Sequence, residues 1–180
     1  MKTIPVTKLK QYLKTMDEAQ LRLEVVNLYK MFPAVKEYYS VHINPELGRG
    51  LLEKYKNIIE KEFIPIGDSV GLKYKNCRNA IKSFEKVCND KKLVAKLMFY
   101  YAGVGIEFTN DYGDINEQFY SNIVSAYFNA IKYCFENGLD KDYRDEALAL
   151  MHAGQGIGWG FSDNLRDIYY EYYFEDDEGE

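Results

Sequence analysis

The sequence predicts an all-α fold, an irregular array of about nine helices in antiparallel hairpins, and three observations predict it. Apolar residues recur at three- and four-residue spacing along most of the chain, and no stretch keeps the two-residue alternation of a half-buried strand. Only four prolines interrupt it, at Pro5, Pro33, Pro45 and Pro65, so nothing after residue 65 stops a long helix by that route. Start and stop signals cut the pattern into segments joined by short turns, which favours antiparallel neighbours. The array is expected to close as a compact bundle, with a short α-solenoid as the alternative. No period of about 34 or 40 residues marks a regular repeat.

The elements follow in order. Lys8–Met16 reads as a short first helix. Thr15 and Glu18 have the spacing of a capping box, and the helix they open carries Leu21, Val25, Leu28, Tyr29 and Phe32 on one face. Pro33 suits the first turn of a third helix, Ala34–Val41, and Asn44-Pro45-Glu46 repeats that start signal. The fourth helix is expected over Leu51–Phe63, after Gly48 and Gly50 loosen its first turn. Pro65 and Gly67 end it, and Asp68–Gly71 is a connector. A fifth helix places Cys77, Ala80, Ile81, Phe84, Val87 and Cys88 on one face. After the Asn89-Asp90 turn, a sixth carries Leu93, Leu97, Tyr100, Tyr101, Val104 and Phe108. Thr109–Asp114 reads as a loop. Asp114 and Glu117 then cap a seventh helix with Ile123, Ala126, Tyr127, Ala130, Ile131 and Cys134 on its face, and Gly138 closes it. The eighth covers Lys141–Met151 and the last Ser162–Phe174, with Leu165, Ile168, Tyr169 and Tyr172 in one stripe. Residues 1–174 are thus expected to form one helical domain. Glu175–Glu180, with five acids in six residues, is expected to be a disordered tail.

Composition narrows the function classes. With 47% hydrophobic residues there is enough to bury a core. The longest apolar runs fall far short of the roughly 18 residues a membrane span needs, and no apolar segment follows the N-terminal lysine as in a signal peptide. Cys77, Cys88 and Cys134 are odd in number and lack CxxC spacing, which fits reduced core thiols and a cytoplasmic location. The net charge of −5 hides an asymmetry: residues 1–96 carry 19 Lys and Arg against 11 Asp and Glu, and residues 97–180 carry 4 against 17. Such polarity suits docking of one half on the other, head-to-tail assembly or a basic binding face.

Two segments stand out as candidate sites. Gly154, Gly156, Gly158 and Gly160 alternate around the single tryptophan, Trp159, just before a helix start. Glycines let backbone N–H groups approach an anion, but no phosphate-loop motif is present and Asp163 and Asp167 would repel one. A tight structural turn packed around Trp159 is the stronger reading. The second segment gathers Glu107, Asn110, Asp111, Asp114, Asn116 and Glu117. Its spacing does not match a calcium loop, and helix capping accounts for most of it. His42 and His152 sit in no ligand motif, so no metal and no cofactor are expected. Tyr170 points away from the last helix's stripe and is a candidate partner anchor. The candidate functional surface is therefore Asn110, Asp111, Asp114, Gly156, Gly158, Trp159 and Tyr170. The two loops are expected to be neighbours, with Trp159 packed between the sixth and last helices.

Glu107-Phe-Thr-Asn-Asp-Tyr-Gly-Asp114 and Gly156-Ile-Gly-Trp-Gly-Phe161 with Asp167-Ile-Tyr-Tyr170, together with Lys8-Leu-Lys-Gln-Tyr-Leu13 and Leu51-Leu-Glu-Lys-Tyr55, resemble a family of small, all-helical bacterial proteins of unknown function, of Bacteroidetes type. The resemblance implies a helical bacterial protein and brings no activity or catalytic residue. The leading expectation is a non-enzymatic helical adaptor that binds a protein partner, a homo-oligomer also being compatible. The alternative is a small-molecule or metal-dependent enzyme using the 107–117 and 154–160 loops. A second alternative is nucleic-acid binding through the lysine-rich N-terminal half, against which the acidic net charge and the absence of arginine in residues 1–14 both argue.

Overall fold

The structure is a computed structural model that describes residues 3–66, 69–70 and 72–173. Among them the helices are α1 (Val6–Leu13), α2 (Glu18–Met31), α3 (Pro33–Ile43), α4 (Leu47–Glu60), α5 (Tyr74–Val87), α6 (Lys91–Tyr112), α7 (Glu117–Glu136), α8 (Asp140–Ala153) and α9 (Phe161–Tyr173). A two-residue antiparallel pair, β1 (Pro65–Ile66) with β2 (Ser69–Val70), interrupts the series where a connector was expected. The fold is all-α in every other respect, with helix above the roughly 60% that the periodicity implies. Gly67, Asp68, Gly71, Phe174 and the acidic segment 175–180 lie outside the described residues.

Two expected caps move. Thr15 does not open α2, because its hydroxyl donates back to the Tyr12 carbonyl at 2.7 Å. Asp17 is the N-cap instead. Its carboxylate accepts from the Gln20 amide N–H at 2.8 Å, while the Gln20 side chain accepts from the Asp17 N–H at 2.9 Å, a capping box two residues later. Asp114 does not cap α7 either; Asn116 does, accepting from the Phe119 amide at 2.8 Å. The expected loop at Thr109 is helix, since α6 runs on to Tyr112 before Gly113 stops it at φ +79°. The fourth helix also starts earlier than expected, at Leu47, with Gly48 buried in its first turn.

Helix α6 organises the body. Its buried residues include adjacent pairs, Val94 with Ala95, Tyr101 with Ala102, Gly105 with Ile106 and Phe108 with Thr109, so it is covered on most sides. Helices α4, α5, α7 and α8 supply that cover. α7 runs antiparallel to α6, with Ile123 opposite Gly105 and Tyr120 opposite Thr109. A Cβ at residue 105 would meet the Ile123 side chain at 2.3 Å, so the helices cross there at a distance only glycine allows. α9 lies on α7 and α8, burying Phe161, Leu165, Tyr169 and Tyr173. All three cysteines are buried, as their apolar faces imply.

The main helix contacts share one rule: partners are one or two positions apart in chain order. α3 meets α4 and α5, α4 meets α5 and α6, α6 meets α7 and α8, and α7 meets α8 and α9. The compact array is thus assembled by local stacking of hairpins, with an N-terminal end and a C-terminal end. At the N-terminal end α2 packs on α3, and neither α1 nor α2 buries a residue.

Candidate functional site

The two loops singled out from the sequence do meet. The Asn110 side-chain amide donates to the Ala153 carbonyl at 3.1 Å, fastening the end of α6 to the end of α8 where the glycine stretch begins. Beside it Tyr120 is the hub. Its hydroxyl donates to the Asp114 carboxylate at 3.0 Å, lies 3.0 Å from the Thr109 hydroxyl, and its ring packs 5.4 Å from that of Phe161. Asp114 is therefore a structural acceptor that seats α7 against the end of α6. Tyr120→Phe is expected to cost about 1.5–3 kcal/mol, the usual worth of a hydrogen bond to a charged group. Chemical denaturation measures it, and no loss would mean that the network is not formed.

The glycine stretch has the conformational demands its composition implies. A Cβ on Gly154 would lie 2.5 Å from the Leu165 side chain, and Gly156 and Gly160 take φ of +83° and +69°. Gly158 has neither constraint. Trp159 corrects the packing expectation: it is 65% exposed and does not lie between α6 and α9. Its backbone stands at φ +60°, in the left-handed region, with glycines on both sides. That conformation aims the ring outward over the start of α7. There it lines a shallow cleft of roughly 360 Å³ with Glu117, Ser121, Val124 and Asn164. Native Trp159 emission is accordingly expected to be red-shifted and readily quenched. Trp159→Gly is expected to raise stability by about 1 kcal/mol by relieving the left-handed backbone. Blue-shifted emission, or a large loss in that variant, would contradict the exposed ring.

The remaining candidates do not join one site. Asp111 is exposed on the last turn of α6. Tyr170 is exposed, with its ring edge-on to Tyr169 at 5.5 Å. It lies nine residues along α9, about 13 Å from that helix's start by the rise per residue, and so outside the Trp159 cleft. Among the described residues no group of three or more His, Cys, Asp or Glu side chains is gathered as a metal site. His42 stacks on Tyr38 at 5.6 Å and His152 Nδ1 pairs with the Gln155 amide at 2.9 Å. Burial pushes the Cys77 and Cys134 thiols up to about 12, away from the thiolate a nucleophile needs.

The largest feature that the sequence reading missed is the N-terminal end. The expected apolar face of α2 is not covered: Leu21 and Tyr29 are half-buried, while Val25, Leu28 and Phe32 are exposed. On other sides of the same helix Leu23, Val26 and Met31 are 61%, 45% and 68% exposed. α1 adds exposed Val6, Leu9 and Tyr12, and Tyr12, Met16 and Leu23 line a hollow of roughly 350 Å³ where the two helices meet. The signal was present in the sequence. Leu23, Val26 and Met31 fall outside the one stripe, so α2 carries more apolar side chains than a single packed face can cover.

The model of a family of unknown function (DUF6155) matches residues 5–175. The chain belongs to this family. Membership in DUF6155 agrees with the resemblance read from the motifs as far as a family of unknown function spanning nearly the whole chain. The DUF6155 match also takes in α1 and α2, which makes the exposed arm part of the family's own domain. No curated protein and no solved structure matches the chain.

Proposed function

We propose that this protein is a helical interaction module that self-associates through its N-terminal arm, α1 and α2, placing two hairpin stacks side by side. The observation that carries the reading is that the arm buries none of its residues while exposing apolar side chains around α2. A stack of helical hairpins needs a polar outer face on its terminal unit to stay soluble alone. This terminal unit instead exposes Leu, Val, Met, Phe and Tyr side chains among its charges. Exposed apolar area on that scale marks an interaction site.

A second copy of the chain is the occupant that fits. An apolar surface built into the family's domain needs a cover that is made along with the protein, and another copy is such a partner, its occupancy rising with concentration. The composition suits a homodimer, whose interfaces are more apolar than transient ones. The arm's charge is mixed, five Lys and Arg against three Asp and Glu over residues 3–32, so two arms face each other without strong repulsion. Arm-to-arm pairing also closes with two-fold symmetry as a pair, whereas docking the arm on a different face would build a larger ring or a filament. Adaptor function then rests on the outward surfaces of the pair, including the exposed Trp159 and Tyr170. Three buried, unpaired thiols support a reducing compartment such as the cytoplasm. Light scattering coupled to size exclusion tests the reading: a mass of two chains is expected, and a single chain or an open-ended series would overturn it.

A further inference from the structure

From α3 onward the stacking rule of this fold has one gap. Helices two apart in the chain pack as α3 with α5, α4 with α6, α6 with α8 and α7 with α9, but α5 and α7 have no comparable contact. They run parallel on either side of α6, since Arg78 reaches Asn122 near the start of each helix, and Glu85 and Tyr133, about two turns further along α5 and three along α7, line the same groove. Between them opens a groove of roughly 450 Å³, within the usual size of a small-molecule site. Met98 and Tyr101 of α6 form its floor, with Ile81 and Ala126 on its walls.

The chemistry is not uniform along the groove. Tyr101 is 2% exposed, and its hydroxyl is a buried polar atom with no hydrogen-bond partner among the described residues. Native folds pair nearly all such groups, so an unpaired one calls for an explanation. Tyr101 and Arg78 line the same groove; burial and the neighbouring Cys77 push the Tyr101 phenol up, and the Arg78 charge draws it partly back. Arg78 spends one N–H on the Asn122 side-chain oxygen at 2.6 Å, and its guanidinium has further donors. Lys82 follows one turn along the same wall. The acids Glu85 and Glu136 line the other end, where Lys132 already pairs with Glu136 at 3.8 Å.

We propose that the α5–α7 groove binds a small amphipathic carboxylate, its head on Arg78, Lys82 and the Tyr101 hydroxyl and its apolar body along Ile81, Met98 and Ala126. The seven residues from Arg78 to Glu85 span about 10 Å of helix, which sets the length of that body. A single anionic head at the basic end leaves the acidic end facing only hydrocarbon. The site is independent of the arm.

Titration of the full chain with sodium octanoate, octan-1-ol and octylammonium chloride, followed by the methyl NMR signals of Met98 and Ile81, tests the proposal. Octanoate is expected to shift both methyls and to bind at least about tenfold more tightly than octanol, as a charge-assisted pair implies. Arg78→Gln is expected to erase that preference. Tyr101→Phe is expected to weaken octanoate several-fold while melting at or above the wild-type temperature, because it removes the unpaired hydroxyl. If Arg78→Gln fails to fold, Lys82→Gln is expected to reduce the preference in part. Equal binding of the three probes, methyl shifts confined to Leu23 and Val26 of the arm, or no shift at millimolar probe would each overturn the proposal.

Discussion

Phe119→Ala is expected to lower the free energy of unfolding by about 3–5 kcal/mol, the range of large aromatic truncations in a closed core. Phe119 is fully buried at the first turn of α7. Its ring lies 6.4 Å from that of Tyr74 on α5, 5.8 Å from Phe108 on α6 and 5.4 Å from Tyr120 on its own helix. Removing it opens a cavity where three helices meet, and the Asn116 cap and the Tyr120–Asp114 bond hold α7 from sliding in to fill it. Urea denaturation gives the value. A loss below about 1 kcal/mol would show that α7 does not enter the core through this residue.

The second large effect concerns association. Leu23→Glu with Val26→Glu is expected to raise the dissociation constant of the pair at least about 100-fold, close to 2.7 kcal/mol, because two charges would be desolvated without partners. Both side chains are exposed in the single chain, and Leu23 lies on the side of α2 away from the half-buried Leu21 and Tyr29. Circular dichroism and the melting temperature at low concentration are therefore expected to change little. Sedimentation equilibrium separates the outcomes. A variant that stays dimeric would place the interface elsewhere, and one that unfolds would assign the residues to the core.

How much of this was legible in the sequence follows from what sets each feature. Helix number and most faces were readable because burial on one side imposes the 3.6-residue period, as Cys77, Ala80, Phe84 and Val87 show on α5. α6 was harder, since a helix covered on most sides buries residues off any one stripe, such as Val94, Ala102 and Ile106. Cap positions slipped by two residues at Asp17 and Asn116, where neighbouring Thr15 and Asp114 offered equally good capping chemistry. The nearness of Asn110 to the start of the Gly154–Gly160 stretch was legible, through the bond to Ala153 just before it, but the role of Trp159 was not. Ring size argued for burial, whereas the left-handed backbone that turns it outward leaves no trace in composition. The groove between α5 and α7 was out of reach, because it results from a missing contact between helices that each look complete.

The arm is the part of the account most open to direct measurement. Hydrogen exchange of the backbone amides of residues 18–32, followed by mass spectrometry across a range of protein concentrations, reads its cover without altering the chain. Exchange in this segment is expected to slow as concentration rises through the dissociation constant, while α6 and α7 exchange at a constant rate. Exchange at residues 18–32 that is independent of concentration would contradict self-association through α1 and α2.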